Sequence, residues 1–279
     1  MERREEAAVE RVTSLCVEAG IPRLRAAVVL GSGLGDAVPG LDGAVEIPFS
    51  EIPGWPEAGV PGHAGTLLAG AYRGRGVLVQ RGRPHYYQGL EMDEVTFPVR
   101  VMAGLGVERI LLCNAAGALN PAFERGYHML VRDHINLMGV NPLRGMRDAD
   151  GNPAFLDVSS LYDAEAGDHL MARAPSAAWP LAEGVLVAVS GPSYETGAEL
   201  RFLRLIGGDA VSMSLVPEAL VARFLGMSVT GVSVITNAWD LRRPHPMTHE
   251  DVLRTAEEAV PVLRDIIAAW LDLQGQPFS

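Results

Sequence analysis

Two arginines and a histidine fall within five residues in Gln80-Arg81-Gly82-Arg83-Pro84-His85-Tyr86-Tyr87-Gln88-Gly89. Guanidinium suits bidentate contact with phosphate oxygens, and a neighbouring histidine adds a donor. A merely solvated loop would carry the same residues. Upstream, Gly31-Ser32-Gly33-Leu34-Gly35-Asp36 follows the apolar run Ala26–Leu30. Glycines there let backbone N–H groups approach an anion, and Ser32 offers a hydroxyl, although a plain tight turn also uses glycines. The spacing is Gly-x-Gly-x-Gly, not the Gly-x-Gly-x-x-Gly of dinucleotide sites. Pro61-Gly62-His63-Ala64-Gly65 sets another histidine between glycines, as a surface turn also would.

Further along, Asn114-Ala115-Ala116-Gly117 follows Arg109–Cys113; such small residues let a ligand touch backbone, or simply pack tightly. Tyr194 and Glu195 stand side by side at a predicted helix start, where the helix dipole favours glutamate in any case. Ser214 precedes a helix opened by Pro217 and Glu218, and Asn237 follows the run Ser228–Thr236. Thr248 with Asp251 resembles a capping box that puts His249 in a first helical turn. Together these residues supply an anion pocket, a pocket for a planar ligand and spare histidines. The pattern offers neither a nucleophile–base pair nor a metal cluster, which fits a ligand that brings its own anionic nucleophile. All 23 basic residues other than histidine are arginines, so Schiff-base and P-loop lysine chemistry are both excluded.

The elements that must position these residues alternate along the chain. Strands are predicted at Ala26–Leu30, Gly76–Gln80, Arg109–Cys113, Met129–Arg132, Val185–Val189, Asp209–Met213 and Ser228–Thr236. Helices are predicted at Glu2–Glu18, Glu91–Gly104, Ser160–Ala172, Glu195–Ile206, Pro217–Leu225 and His249–Leu271. This rhythm points to an α/β fold with a mixed central sheet flanked by helices, in a single domain spanning residues 1–279. Several candidate segments follow predicted strands, and ligands gather at the carboxyl ends of strands in open α/β sheets.

Composition narrows the partners. A net charge of −11 argues against nucleic acid or an anionic membrane, so an anionic substrate needs a local basic cluster. Apolar runs such as Ala26–Leu30 are far too short to span a bilayer. Met1-Glu-Arg-Arg-Glu-Glu reads as neither secretory signal nor transit peptide. Cys16 and Cys113 read as buried thiols, and a cytoplasmic location is expected.

These segments resemble, in order and over nearly the whole chain, the trimeric purine nucleoside phosphorylases. The resemblance rests on Gly31-Ser32-Gly33-Leu34-Gly35, Val60-Pro61-Gly62-His63-Ala64-Gly65, Arg83-x-His85-x-Tyr87 and Val95-Thr96-Phe97-Pro98-Val99-Arg100. It continues through Asn114-Ala115-Ala116-Gly117, Arg132-Asp133-His134-Ile135-Asn136-Leu137, Asn141-Pro142-Leu143-Arg144-Gly145 and Gly191-Pro192-Ser193-Tyr194-Glu195-Thr196. Met213-Ser214-x-Val216-Pro217-Glu218, Ile235-Thr236-Asn237 and His249-Glu250 complete it.

The resemblance implies a phosphate site of Ser32, His63, Arg83, His85, Ser214 and the Ala115 backbone. Tyr87, Met213 and His249 would contact ribose, Tyr194 would line the base pocket, and Glu195 with Asn237 would read the base edge. His85, Glu195 and Asn237 are the implied catalytic residues. Phe155 would be placed over the ribose of a neighbouring subunit in a homotrimer. The implied reaction, part of purine salvage, is phosphorolysis of 6-oxopurine nucleosides through an oxocarbenium-like ribose. Inorganic phosphate is the co-substrate, with no metal or organic cofactor. A methylthioadenosine phosphorylase is the alternative within the fold, though such relatives tend to have aspartate at the Asn237 position. A dinucleotide oxidoreductase is disfavoured by the glycine spacing, and a silent nucleoside-binding protein by the intact phosphate residues. Three features depart from the family pattern: Gln88 replaces a glutamate, Ala238 replaces the lysine of some relatives, and Trp239–Met247 matches no family segment.

Overall fold

Successive side chains of a strand point to opposite sides of its sheet, so a continuous apolar run marks a strand buried on both faces. The structure, a computed structural model, describes residues 3–56, 64–148, 150–238 and 248–273. Helix α1 (Arg3–Glu18) leads into β1 (Leu24–Leu30), β2 (Asp42–Pro48), β3 (Thr66–Tyr72) and β4 (Arg75–Arg81). Next come α2 (Met92–Gly104), β5 (Arg109–Ala118), β6 (His128–Asn136), α3 (Ala164–Ala177) and β7 (Leu181–Ala188). Helix α4 (Gly197–Leu205), β8 (Ala210–Ser212), α5 (Val216–Phe224), β9 (Ser228–Ala238) and α6 (His249–Asp272) follow.

Among the described residues the apolar runs divide mainly between two cores, with a smaller third cluster of Val187, Leu200, Leu203 and Val211. Ala27 and Val29 of β1 pack with Phe97 and Met102 of α2, while Ala26, Val28 and Leu30 face Leu263 and Trp270 of α6. Strand β5 alternates in the same way, with Ile110 and Leu112 on the first side and Leu111 and Cys113 on the second. The buried Trp270 indole N–H donates to Thr230 Oγ1 at 3.0 Å, so its polar end is satisfied inside the core. Both cysteines are free thiols and buried. No helix among the described residues is long and apolar enough to cross a membrane.

Among the described residues, one sheet of nine strands runs β2-β3-β4-β1-β5-β8-β7-β6-β9, and β5 also pairs with β9. Strands β5, β8, β7, β6 and β9 therefore close into a small barrel, from which β1, β4, β3 and β2 extend as an open sheet. Closure leaves those five strands without an exposed edge. The sheet is mixed. Strands β4, β1, β5 and β9 are parallel, whereas β3 pairs antiparallel to both β2 and β4, and β8 to β5.

Every predicted strand and helix is present, with shifted ends. Strands β2 and β3 escape the apolar pattern. The sequence of β2, Asp-Gly-Ala-Val-Glu-Ile-Pro, is mostly solvent-facing at the sheet edge, and its Asp, Gly and Pro read as turn residues. β3 contains Ala69, Gly70 and Ala71, which have low strand propensity. Two predicted strand ends are corrected. β5 continues through Asn114–Gly117 to Ala118, and β9 continues past Asn237 to Ala238. The two strands pair in parallel along this extension, with a register shift at Ala116/Gly117.

Candidate active site

The carboxyl end of β1 lies between the carboxyl end of β4 and the middle of β5. Gly31 N–H donates to Cys113 O at 3.1 Å and Gly82 N–H to Leu30 O at 3.0 Å, tying the glycine loop and the arginine loop to the sheet. Gly33 has φ +72°, and a Cβ there would lie 2.7 Å from the Cβ of Ala256. The bare glycine thus lets α6 pack directly on the loop, bringing His249 and Val252 to its rim. The result is a cavity of ≈ 330 Å³.

One side of the cavity is built around Arg83. That side chain is fully buried and pairs through Nε with Glu218 at 3.1 Å. Its NH1 donates to Ser214 Oγ at 3.3 Å. Ser32, His85 and Ala115 line the same cavity. The His85 ring stacks on Tyr87 at 4.7 Å with a 19° tilt between planes. The Gln88 side chain accepts the His85 backbone N–H at 2.6 Å, so it shapes the turn at His85. Burial pushes the Tyr87 phenol up to about 12, which leaves it a neutral hydroxyl donor at ordinary pH.

A second part of the cavity comes from β9 and the loop before α4. Asn237 Oδ1 accepts from Thr236 Oγ1 at 3.0 Å, and a Cβ on Gly117 would come within 2.7 Å of Asn237 Nδ2. With the amide in this rotamer, a side chain at residue 117 would require Asn237 to move. Glu195 lines the cavity from the loop, not from the first turn of a helix as expected. Thr196 and Glu199 cap α4 reciprocally: Thr196 Oγ1 accepts from Glu199 N–H at 3.2 Å, and the Glu199 carboxylate accepts from Thr196 N–H at 2.7 Å. That cap starts the helix two residues later, at Gly197, and leaves Glu195 outside it. Partial burial raises the Glu195 pKa, its own backbone N–H opposes the shift, and Glu199 adds to it. Tyr194 and Met213 complete the lining between the two parts.

The cavity therefore gathers Ser32, Arg83, His85, Tyr87, Ala115, Tyr194, Glu195, Met213, Ser214, Asn237 and His249. His63 and the Trp239–Met247 segment lie outside the described residues. Phe155 is not in this cavity; it is 92% exposed and borders a separate depression with Leu143, Met146 and Leu220. Sequence reasoning missed the polar layer beneath the site. Asn114 Nδ2 donates to Ser212 Oγ at 2.7 Å, Ser233 Oγ donates to Asn114 Oδ1 at 2.8 Å, and Ser212 Oγ donates to Ala115 O at 3.1 Å. The available signal was a polar residue inside each apolar strand, since buried polar groups persist where they are paired.

The sequence and the fold match a known class. Residues 25–272 fit the family model described as the phosphorylase superfamily. The chain is 46% identical to purine nucleoside phosphorylase 1 of Geobacillus stearothermophilus, covering 83% of this chain and 84% of that protein. It is 43% identical to the bovine (Bos taurus) purine nucleoside phosphorylase, covering 88% of each chain. The crystal structure of Schistosoma mansoni purine nucleoside phosphorylase in complex with adenosine superposes with a TM-score of 0.87 at 31% identity, covering 99% of this chain and 98% of that one. The chain belongs to the phosphorylase superfamily and, within it, to the purine nucleoside phosphorylases.

Proposed function

We infer that this protein catalyses reversible phosphorolysis of 6-oxopurine ribonucleosides and deoxyribonucleosides, such as inosine and guanosine, giving free base and (deoxy)ribose 1-phosphate. The observation that carries the reading is one cavity holding both a buried arginine–serine anion cluster and a Glu–Asn pair suited to a base edge.

A phosphate held by Ser32, Arg83, His85, Ser214 and the Ala115 backbone stabilises positive charge developing at C1′. One of its oxygens then forms the new bond as the C1′–N9 bond breaks. The departing electron pair goes to the purine, which takes up at N7 the proton that hydrogen phosphate gives up on becoming the sugar ester; Asn237 accepts a hydrogen bond from that N7–H, and Glu195 accepts from N1–H. Tyr87, Met213 and His249 set the ribose. This is positioning and electrostatic preorganisation by the chain's own residues, with phosphate as co-substrate and no cofactor. His63, on the family pattern, joins the phosphate site.

The assembly proposed is a homotrimer acting in the cytoplasm, in which Phe155 reaches a neighbouring site. Its 92% exposure as a large aromatic on a single chain supports cover by a second copy.

The deciding experiment is a panel of nucleosides with and without phosphate, detecting free base. Phosphate-dependent release from inosine and guanosine is expected. Arg83→Ala should raise the phosphate requirement far more than the nucleoside requirement. Base release that ignores phosphate would overturn the reading.

A further inference from the structure

Glu218 uses its carboxylate twice. Oε1 lies 3.1 Å from Arg83 Nε, and Oε2 accepts the Leu215 N–H at 2.9 Å. Both side chains of the ion pair are out of water, at 0% exposure for Arg83 and 5% for Glu218. Leu215 sits at φ 74° and ψ −53°. Val216 N–H donates to Ser214 O at 3.0 Å, which makes Ser214–Leu215–Val216 a γ-turn of the rare, positive-φ kind. A leucine held there is strained, where a glycine would not be. The turn carries Ser214, whose Oγ accepts from Arg83 NH1 and lies 3.4 Å from Ser212 Oγ.

A glutamate at the third position of a helix commonly accepts the N-cap N–H, and that accounts for Oε2 alone. It does not account for Oε1 on the Nε edge of a buried arginine, or for the strained turn between the two contacts. We propose that Glu218 is a positioning residue for the phosphate subsite. Its one carboxylate aims the Arg83 guanidinium and clamps the Ser214 turn, so that arginine and serine present their donors to the same anion. The identity of that anion rests on the phosphorolysis reading.

Charge and geometry make opposite predictions. Glu218 cancels the charge of Arg83, so by charge alone Glu218→Gln should tighten phosphate binding. If Glu218 positions the donors, the variant should bind phosphate more weakly, by about tenfold, the scale of one charge-assisted hydrogen bond. A merely structural role would lower thermal stability and leave both Michaelis constants in place.

The test measures KM for phosphate and for inosine separately, and titrates the free protein with inorganic phosphate by calorimetry. A higher phosphate KM and Kd with the inosine KM within about twofold supports the proposal. An unchanged or lower phosphate Kd overturns it. Glu218→Asp keeps the charge but is one methylene too short to span both contacts, and it decides the matter if Glu218→Gln does not fold. It should also weaken phosphate binding, and wild-type Kd in this variant would equally sink the idea. The phosphate titration needs no turnover. A wild-type protein that binds phosphate but cleaves no nucleoside would therefore refute the activity while leaving Glu218 judged by its own result.

Discussion

Asn237→Asp should invert part of the base preference. Asn237 sits inside β9 with Oδ1 on the Thr236 hydroxyl at 3.0 Å and Nδ2 against the bare Gly117 backbone. Aspartate has the same size and keeps the oxygen that Thr236 reaches, so packing survives, while the second atom changes from donor to acceptor and the side chain becomes an anion. With a 6-oxopurine, O6 then loses a donor and meets a lone pair. Each mispaired buried group costs roughly 1–3 kcal/mol, so the loss of about 2–5 kcal/mol corresponds to a kcat/KM lower by about 30-fold to several thousand-fold. Adenine presents an N6 amino donor to the new carboxylate but a lone pair at N1 to Glu195, so the gain on adenosine should stay within about tenfold. The assay is kcat/KM on inosine and on adenosine at saturating phosphate and neutral pH, following free base. The ratio of the two substrates is the informative quantity. Wild-type efficiencies that are equal on the two substrates, or a ratio unmoved in the variant, would show that Asn237 does not read the base.

Three other outcomes are expected. Gly33→Ala places a methyl 2.7 Å from the Ala256 Cβ at a φ of +72°, so it should push α6 off the glycine loop, lower Tm and weaken nucleoside binding; an unchanged Tm would refute the packing account. Burial raises the Glu195 pKa, so the folded state holds that proton more tightly and stability falls as pH rises from the ordinary value of 4.5 through the raised one. Glu195→Gln should therefore raise Tm at neutral pH, lose that advantage below pH 4.5 and lose base reading, whereas a Tm gain independent of pH would contradict the cause assigned. Phe155→Ala should weaken nucleoside binding without unfolding the chain, and wild-type activity should fall on dilution to monomers; a fully active monomer would refute the shared site.

Much of the site was legible because each piece is local. The glycine loop, the Arg83–His85 loop, Ser214 and His249 all lie at predicted strand or helix ends, and the structure places them on one cavity. Strands β1 and β5 were found because burial on both faces makes them continuously apolar. Strand β2 was not, because an edge strand facing solvent carries no such constraint. The start of α4 was misread because two candidate acids, Glu195 and Glu199, stand four residues apart, and the reciprocal Thr196–Glu199 hydrogen bonds decide between them.

The sequence by itself determined the types of all elements except β2 and β3, the two-faced burial of the central strands, the absence of any lysine from the basic residues, and the residues available for chemistry. These follow from propensity, periodicity and side-chain chemistry over a few residues. Only the tertiary structure decided that β5 pairs with β9 to close a barrel, that Asn114, Ser212 and Ser233 form one buried layer, and that Glu218 grips Arg83. Arg83 and Ser214 are 131 positions apart, and Asn114 and Ser233 are 119 apart. Contacts at such separations are selected by the packing of the whole chain, through burial and the pairing of every buried polar group. No local window of sequence contains that selection.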